Sequence, residues 1–448
     1  MKALISQRVV TPTAVRPAAV CFANGRITAI TPPDDVPNGY ERVEVGRLVI
    51  MPGVVDVHVH INEPGRTHWE GFATATRAAA AGGITTVVDM PLNSDPVTTT
   101  LEALAAKKSA AQGQLWVNCA FHAGVVPGQL GQLAELLAEG CVAGKAFMVY
   151  SGIPEFGAAD EAVLREAMQI LARAGRPLLA HAEVDWPETA APPPPWREYA
   201  SYLASRPPSW EVEAIRLLIK LCRETGCATH IVHLATAEAL PLLRAARAEG
   251  LPITIETAPH YLHFCAEEVP AGATQYKCAP PIREAANRES LWQALLAGEI
   301  DLIASDHSPC PPVLKGRERG DFAAAWGGIA GLQWLLPVVW SGLRGRRGAL
   351  GENEALLRLA DWLCAAPAKL VGMGERGRLE VGAAADIIVW DPDAAFEVTP
   401  ATTYHRHKQT PYLGETLYGL VTRTYVGGEL VYGHGRWEKR EEGRGKRD

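Results

Sequence analysis

The chain has 448 residues, and its 43 basic and 50 acidic side chains leave a formal charge of −7, too near balance for a surface that binds nucleic acid by electrostatics. Hydrophobic residues make up 48% and charged ones 21%, which excludes disorder throughout and supplies apolar side chain for a sizeable core. The first residues place Arg8 inside the first apolar stretch with no small-residue cleavage site, so no signal peptide is expected; no run approaches about 18 apolar residues, so neither is a membrane span.

Taken in chain order, residues 1–50 read as short strands with turn residues between them, and Asn24-Gly25 is a hairpin signal. Eight short apolar runs then recur with helical or loop-like sequence between them. They are Val54 to His60, Thr85 to Pro91, Trp116 to His122, Gly144 to Tyr150, Pro177 to Glu183, Thr229 to Ala235, Ile253 to Pro259 and Asp301 to His307. Helical patterning is clearest in Thr98 to Ala111, Asp160 to Ala174, Trp210 to Thr225 and Ala237 to Glu249. Eight buried parallel strands in about 250 residues is the count of an α/β fold of the (β/α)8 TIM-barrel type. Residues 376–434 again read as short strands, so a barrel over 51–375 is expected with a small β-sandwich formed from both termini, 1–50 and 376–434. Residues 435–448 read as a charged tail, and Pro192 to Pro195 as a stiff loop element.

Nine cysteines lie scattered without CxxC spacing, which predicts a reducing cytoplasm rather than disulfides or a zinc ribbon. Cys310 sits among functional candidates, yet no base is identifiable for it.

Enzymes of barrel architecture place their sites at the strand ends, and the polar residues of this chain concentrate there. Strand one ends in His58-Val-His60, whose i and i+2 spacing turns both imidazoles to one face, suited to one metal ion. Strand five ends in His181-Ala-Glu183, strand six in His233 and strand eight in Asp306-His307. One histidine at a strand end is more often a packing residue than a ligand; four histidines and an aspartate at four different strand ends form a constellation. Lys145 on strand four is the only lysine between residues 109 and 219 and has apolar neighbours on both sides. Burial lowers a lysine's pKa, and a neutral amine takes up carbon dioxide to become a carbamate whose two oxygens can bridge two cations. His58, His60, Lys145, His181, His233 and Asp306 then read as ligands of two divalent ions about 3.5–4 Å apart, able to activate a shared water.

These motifs, together with Asn62-Glu-Pro-Gly-Arg-Thr-His-Trp-Glu-Gly-Phe, Asp89-Met-Pro-Leu-Asn, Lys145-Ala-Phe-Met, Lys277-Cys-Ala-Pro-Pro-Ile-Arg and Ser305-Asp-His-Ser-Pro-Cys, resemble the cyclic amidohydrolases of the amidohydrolase superfamily over essentially the whole length. The likeness is greatest to the branch that opens the ring amide of allantoin. It implies Zn2+ as the most suitable metal, an N6-carboxylated Lys145, Asp306 as the catalytic proton carrier, and a homotetramer. Relatives that act on dihydroorotate carry a carboxylate-gripping arginine where this chain has Asn62, so a neutral ring such as allantoin is the expected substrate. Asn62 and Asn93, with Ser308 and the backbone around Cys278, are the expected substrate contacts. The loops 63–72, 187–196 and 311–322 are expected to close over the ring. Glu183 and His260 are read either as orienters of the ligands or as polar packing, and His122, His307, Glu63, Arg66 and Arg283 as weaker candidates.

Overall fold

The computed structural model describes residues 1–185, 195–346 and 350–438. Its strands are β1 (Lys2–Val10), β2 (Val15–Ala23), β3 (Arg26–Thr31), β4 (Glu41–Pro52), β5 (Val54–Val59), β6 (Ile84–Asp89), β7 (Asn118–Phe121), β8 (Ala123–Val125), β9 (Gly144–Phe147), β10 (Leu178–His181), β11 (Thr229–Ile231), β12 (Ile253–Thr257), β13 (Leu302–Ile303), β14 (Ile387–Glu397), β15 (Thr416–Val426), β16 (Glu429–Gly433) and β17 (Arg436–Trp437).

β5 to β13 form the (β/α)8 barrel. β5, β6 and β7 pair in parallel, as do β8 through β13 in chain order. The nine segments make eight staves because β7 and β8 are one stave interrupted at His122: its first half pairs with β6 and its second with β9. His122 is fully buried there and its Nε2–H donates to the carbonyl of Val57 at 3.0 Å, so this candidate is a barrel-wall residue. A parallel bridge from Val59 to His307 closes the ring. Asp56 strengthens the closure: one carboxylate oxygen accepts the amide N–H of His58 on stave one and of Ser305 on stave eight.

Most staves are shorter than their apolar runs, chiefly at the C-terminal end, whereas stave three runs on past His122 to Val125. His60, Glu183, His233 and Asp306 lie beyond the regular strands, and His60, His233 and Asp306 line the cavity at the mouth. The helix starts shift similarly. Thr100 and Asp160 cap the helices Leu101–Ala111 and Glu161–Arg173, accepting N–H bonds of 3.2 and 2.9 Å, instead of lying inside them. The helix Pro208–Thr225 begins two residues before Trp210, and Ala237–Ala239 forms a 3-10 turn ahead of the helix Leu240–Ala248.

Both chain termini contribute to one mixed sheet ordered β17-β16-β15-β14-β4-β1-β2-β3, the small β-sandwich beside the barrel. The two ends meet where β14 runs antiparallel to β4, around an apolar cluster that includes Leu4, Val20, Ile50 and Val389. Asn24 and Gly25, at φ 50° and 78°, form the two-residue hairpin between β2 and β3. β4 passes into the barrel through Gly53, where an added Cβ would meet the side chain of Thr85 at 2.1 Å; strand and sandwich touch too closely there for any other residue. The expected charged tail begins later than residue 435. Arg436–Trp437 pair with β16, and the Trp437 ring packs edge-on against Tyr404 at 4.5 Å. The rest of that tail, residues 439–448, and Pro192 to Pro194 with most of the 187–196 loop lie outside the described residues. No helix among the described residues is long and apolar enough to cross a membrane.

Candidate active site

The staves converge on a cavity of about 600 Å³ whose wall includes His58, His60, His181, His233 and Asp306. One nitrogen of His58, one of His60 and one carboxylate oxygen of Asp306 lie within 4.8 Å of one another. Asp306 Oδ1 is 3.3 Å from His58 Nε2 and 3.7 Å from His60 Nε2. The His181 and His233 rings form a second group, 4.6 Å apart, with His233 5.3 Å from His58. All four imidazoles are buried, and burial lowers their basicity, to about 4 for His58 and His181 and well below the usual value for His60 and His233. Neutral imidazole is the ligating form.

Lys145 projects from β9 beneath this group. It is 0% exposed, its Nζ has no hydrogen-bond partner, and its ammonium end lies 5.0 Å from the Phe147 ring centre. Burial pushes its pKa down, and pushes that of Asp306 up. A buried amine without a partner is costly as a cation, whereas carboxylation of its nitrogen would make it an oxygen donor. The donor set, neutral imidazoles with carboxylate oxygens, suits divalent metal ions.

Two carboxylates orient two of these histidines. His58 Nδ1–H donates to Glu256 Oε1 at 2.7 Å, leaving Nε2 free toward Asp306. Glu256 also accepts from His230 Nε2 at 3.3 Å and from the His233 amide at 3.2 Å. Burial alone raises the Glu256 carboxyl, but His58 and His230 outweigh it and hold it well below the carboxylate range. His181 Nε2–H donates to Glu183 Oε2 at 2.7 Å, which identifies Glu183 as an orienter. Burial raises its carboxyl as well, and Arg206 and His181 overcome this, bringing it to about 2. Sequence reasoning missed Glu256, His230 and Arg206. The signal for Glu256 was present, since a charge inside a stave buried on both faces must have a partner. Glu256→Gln is expected to weaken metal binding about 10- to 100-fold with an unchanged far-UV spectrum; chelator competition reads it, and unaltered affinity would remove Glu256 from this role.

The expected substrate contacts are distributed unevenly. Asn93 and Ser308 line the cavity. Ser308 Oγ lies 2.8 Å from the Asp306 carbonyl and 3.3 Å from its carboxylate. Asn62 is fully buried behind the wall, its Nδ2 donating to the Pro309 carbonyl at 3.3 Å. Cys278 is likewise fully buried, with its carbonyl taken by the Tyr202 hydroxyl at 2.6 Å, and its neighbours Lys277 and Ala279 face the cavity instead. His260 is buried with neither ring nitrogen bonded. Glu63 accepts the Phe72 amide at 2.8 Å, and Arg283 pairs with Glu211 at 2.7 Å; both hold loops. Burial raises the Cys310 thiol to about 11, against a nucleophilic role. Asn62, Asn93, His233 and Asp306 all have φ between 41° and 67°, the left-handed region, so the backbone at the mouth is held in a sparsely populated conformation at four candidate positions.

Among the described residues two basic side chains share the wall, and both are engaged. Arg206 is clamped to Glu183. Lys277 donates to the carbonyls of Ala323 at 3.1 Å and Ala325 at 2.6 Å and lies over the Tyr202 ring, burial bringing its pKa to about 7.

Comparison with known proteins agrees with this geometry. The amidohydrolase family model matches residues 49–431. The chain is 46% identical to an allantoinase from Streptomyces avermitilis over 97% of this chain and 96% of that protein. It is 43% identical to an allantoinase from Arabidopsis thaliana over 96% and 88%. Among solved structures, an L-hydantoinase (dihydropyrimidinase) from Arthrobacter aurescens superposes with a TM-score of 0.89 at 31% identity, covering 98% of both chains. A dihydropyrimidinase from Brevibacillus agri gives 0.85 at 26%, covering 97% and 96%. On the family match, the near full-length relatives and the ligand-like cluster at the barrel mouth, the chain belongs to the amidohydrolase family of hydrolytic enzymes.

Proposed function

We propose that this enzyme hydrolyses the ring amide of allantoin to allantoate, using a centre of two divalent metal ions, Zn2+ being best suited to its histidines. The cluster of His58, His60 and Asp306 at the cavity floor carries the reading, and the allantoinases among its relatives support the substrate. His58, His60 and Asp306 would hold one ion and His181 and His233 the other, with carboxylated Lys145 supplying further oxygen donors. Carboxylation joins the Lys145 amine to carbon dioxide and releases one proton, which leaves an anion where an unpaired ammonium would otherwise lie buried. When bound, such ions polarise the scissile carbonyl and lower the pKa of water.

The side chains of the chain do the rest. Glu256 and Glu183 fix the proton on the far nitrogen of His58 and His181, so that each ring presents a lone pair to the cavity. Asp306, next to where the water attacks, takes one of its protons and delivers it to the ring nitrogen as the carbon–nitrogen bond breaks. The carbonyl carbon keeps the oxygen as a carboxylic acid, which gives its remaining proton to solvent to become the carboxylate of the opened ring. The resemblance extends the reading to a homotetramer in the cytoplasm, which sedimentation of the purified protein and fractionation of cells would check.

Allantoin is neutral, and the wall suits a neutral ring because the two basic side chains among its described residues are already engaged, Arg206 with Glu183 and Lys277 with carbonyls. A substrate carboxylate entering this cavity meets, among the described residues, only basic side chains that already hold other partners, and desolvating a poorly paired charge costs several kcal/mol. Assayed side by side, allantoin is expected to exceed dihydroorotate in kcat/KM by at least about 100-fold, the factor that about 3 kcal/mol represents. Comparable values for the two would overturn the substrate assignment. Faster turnover of plain hydantoin or dihydrouracil would favour a hydantoinase-like reading, for which the superposition on the Arthrobacter aurescens enzyme is the supporting observation.

A further inference from the structure

The histidines at the cavity floor differ in what stands behind them. His58 and His181 are each backed by a carboxylate at 2.7 Å. His60 has instead the amide of Asn93, whose Nδ2 is 3.3 Å from His60 Nδ1 and whose Oδ1 is buried without a partner. His60 presents Nε2 to Asp306, so a lone pair there requires the proton on Nδ1, and that N–H requires an acceptor. An amide nitrogen cannot accept. A half turn about Cβ–Cγ of Asn93 exchanges its two ends and brings the unpartnered oxygen to the His60 N–H.

The backbone restricts what can stand at this position. Asn93 has φ 66°, a conformation that glycine, asparagine and aspartate adopt most readily and that β-branched side chains adopt least. Arg66 clamps the turn from outside, its guanidinium bonding the carbonyls of Asn93 at 3.4 Å and Ser94 at 3.3 Å. The side chain is 3% exposed and reaches His60 at the edge of the cavity it lines.

We infer that Asn93 is a positioning residue for His60: its side-chain carbonyl accepts the Nδ1–H, sets the tautomer, and so governs metal binding as a neutral counterpart of Glu256 and Glu183. The inference rests on His60 being a metal ligand, as proposed above. It also replaces the direct substrate contact expected of Asn93 from the sequence.

The test is a Zn2+ titration of metal-stripped protein against a chromophoric chelator, on wild type, Asn93→Gly and Asn93→Asp, with circular dichroism of each. Glycine removes the acceptor without straining the left-handed backbone, and aspartate restores one. Asn93→Gly is expected to stay folded and to bind Zn2+ about 10- to 100-fold more weakly at one of its sites, while Asn93→Asp binds at least as tightly as wild type. Folded Asn93→Gly with wild-type Zn2+ affinity and a raised KM for allantoin would overturn the inference in favour of a substrate contact. Equal losses in the glycine and aspartate variants would overturn it too, since an acceptor alone would then not suffice. Wild type that takes up no Zn2+ would instead bring down the metal-centre reading on which the inference stands.

Discussion

Lys145→Ala is expected to lose most of its bound metal and nearly all activity, and to recover part of both in short carboxylic acids. The reason lies in the surroundings of Nζ: 0% exposed, no hydrogen-bond partner, an aromatic face on one side and imidazoles ahead. Removing the side chain leaves a small cavity and takes away the oxygen donors that carboxylation would supply. A formate or acetate ion occupying that cavity restores a carboxylate. Lys145→Arg should fare no better, since guanidinium stays protonated at any usable pH and does not add carbon dioxide. Metal analysis is the deciding measurement, and two ions bound unchanged in Lys145→Ala would sink the carboxylated-lysine proposal.

Asp306→Asn is expected to lower turnover by about 10²- to 10⁴-fold, the usual worth of a positioned acid–base group, without unfolding. Asparagine is nearly isosteric and tolerates the left-handed φ of 46° at least as well as aspartate. It keeps an oxygen facing His58 and His60 and a partner for the Ser308 hydroxyl, but it has no basic site for a proton. Steady-state kinetics at measured metal occupancy separates lost proton transfer from lost metal. Near-normal turnover at full occupancy would assign the proton to another group, His260 being the buried imidazole with both nitrogens unpartnered.

Much of the architecture was legible in one dimension. Buried parallel staves announce themselves as apolar runs at regular intervals, because both faces of each are covered. Asn24-Gly25 announces its hairpin, because only such a pair accepts positive φ at both turn positions. The ends of the runs were harder to read. At His60, Glu183 and Asp306 the chain leaves the sheet while still buried, and composition does not distinguish a buried stave from a buried loop lining a cavity. The tail was read too long for a similar reason: Trp437 finds Tyr404 and Tyr432 as packing partners from segments brought alongside by β15 and β16.

By itself the sequence determined the barrel with its terminal sandwich and singled out His58, His60, Lys145, His181, His233 and Asp306 as candidates, because strand periodicity and polar residues near strand ends are local properties of the chain. Only the tertiary structure decided which atoms face the cavity. It put Asn62 and Cys278 behind the wall, committed Arg206 to Glu183, and brought Glu256 from stave seven against His58 on stave one, 198 residues away. Those are contacts between distant staves, and the curvature that closes a sheet into a barrel, rather than any spacing along the chain, sets which side chains meet across its mouth.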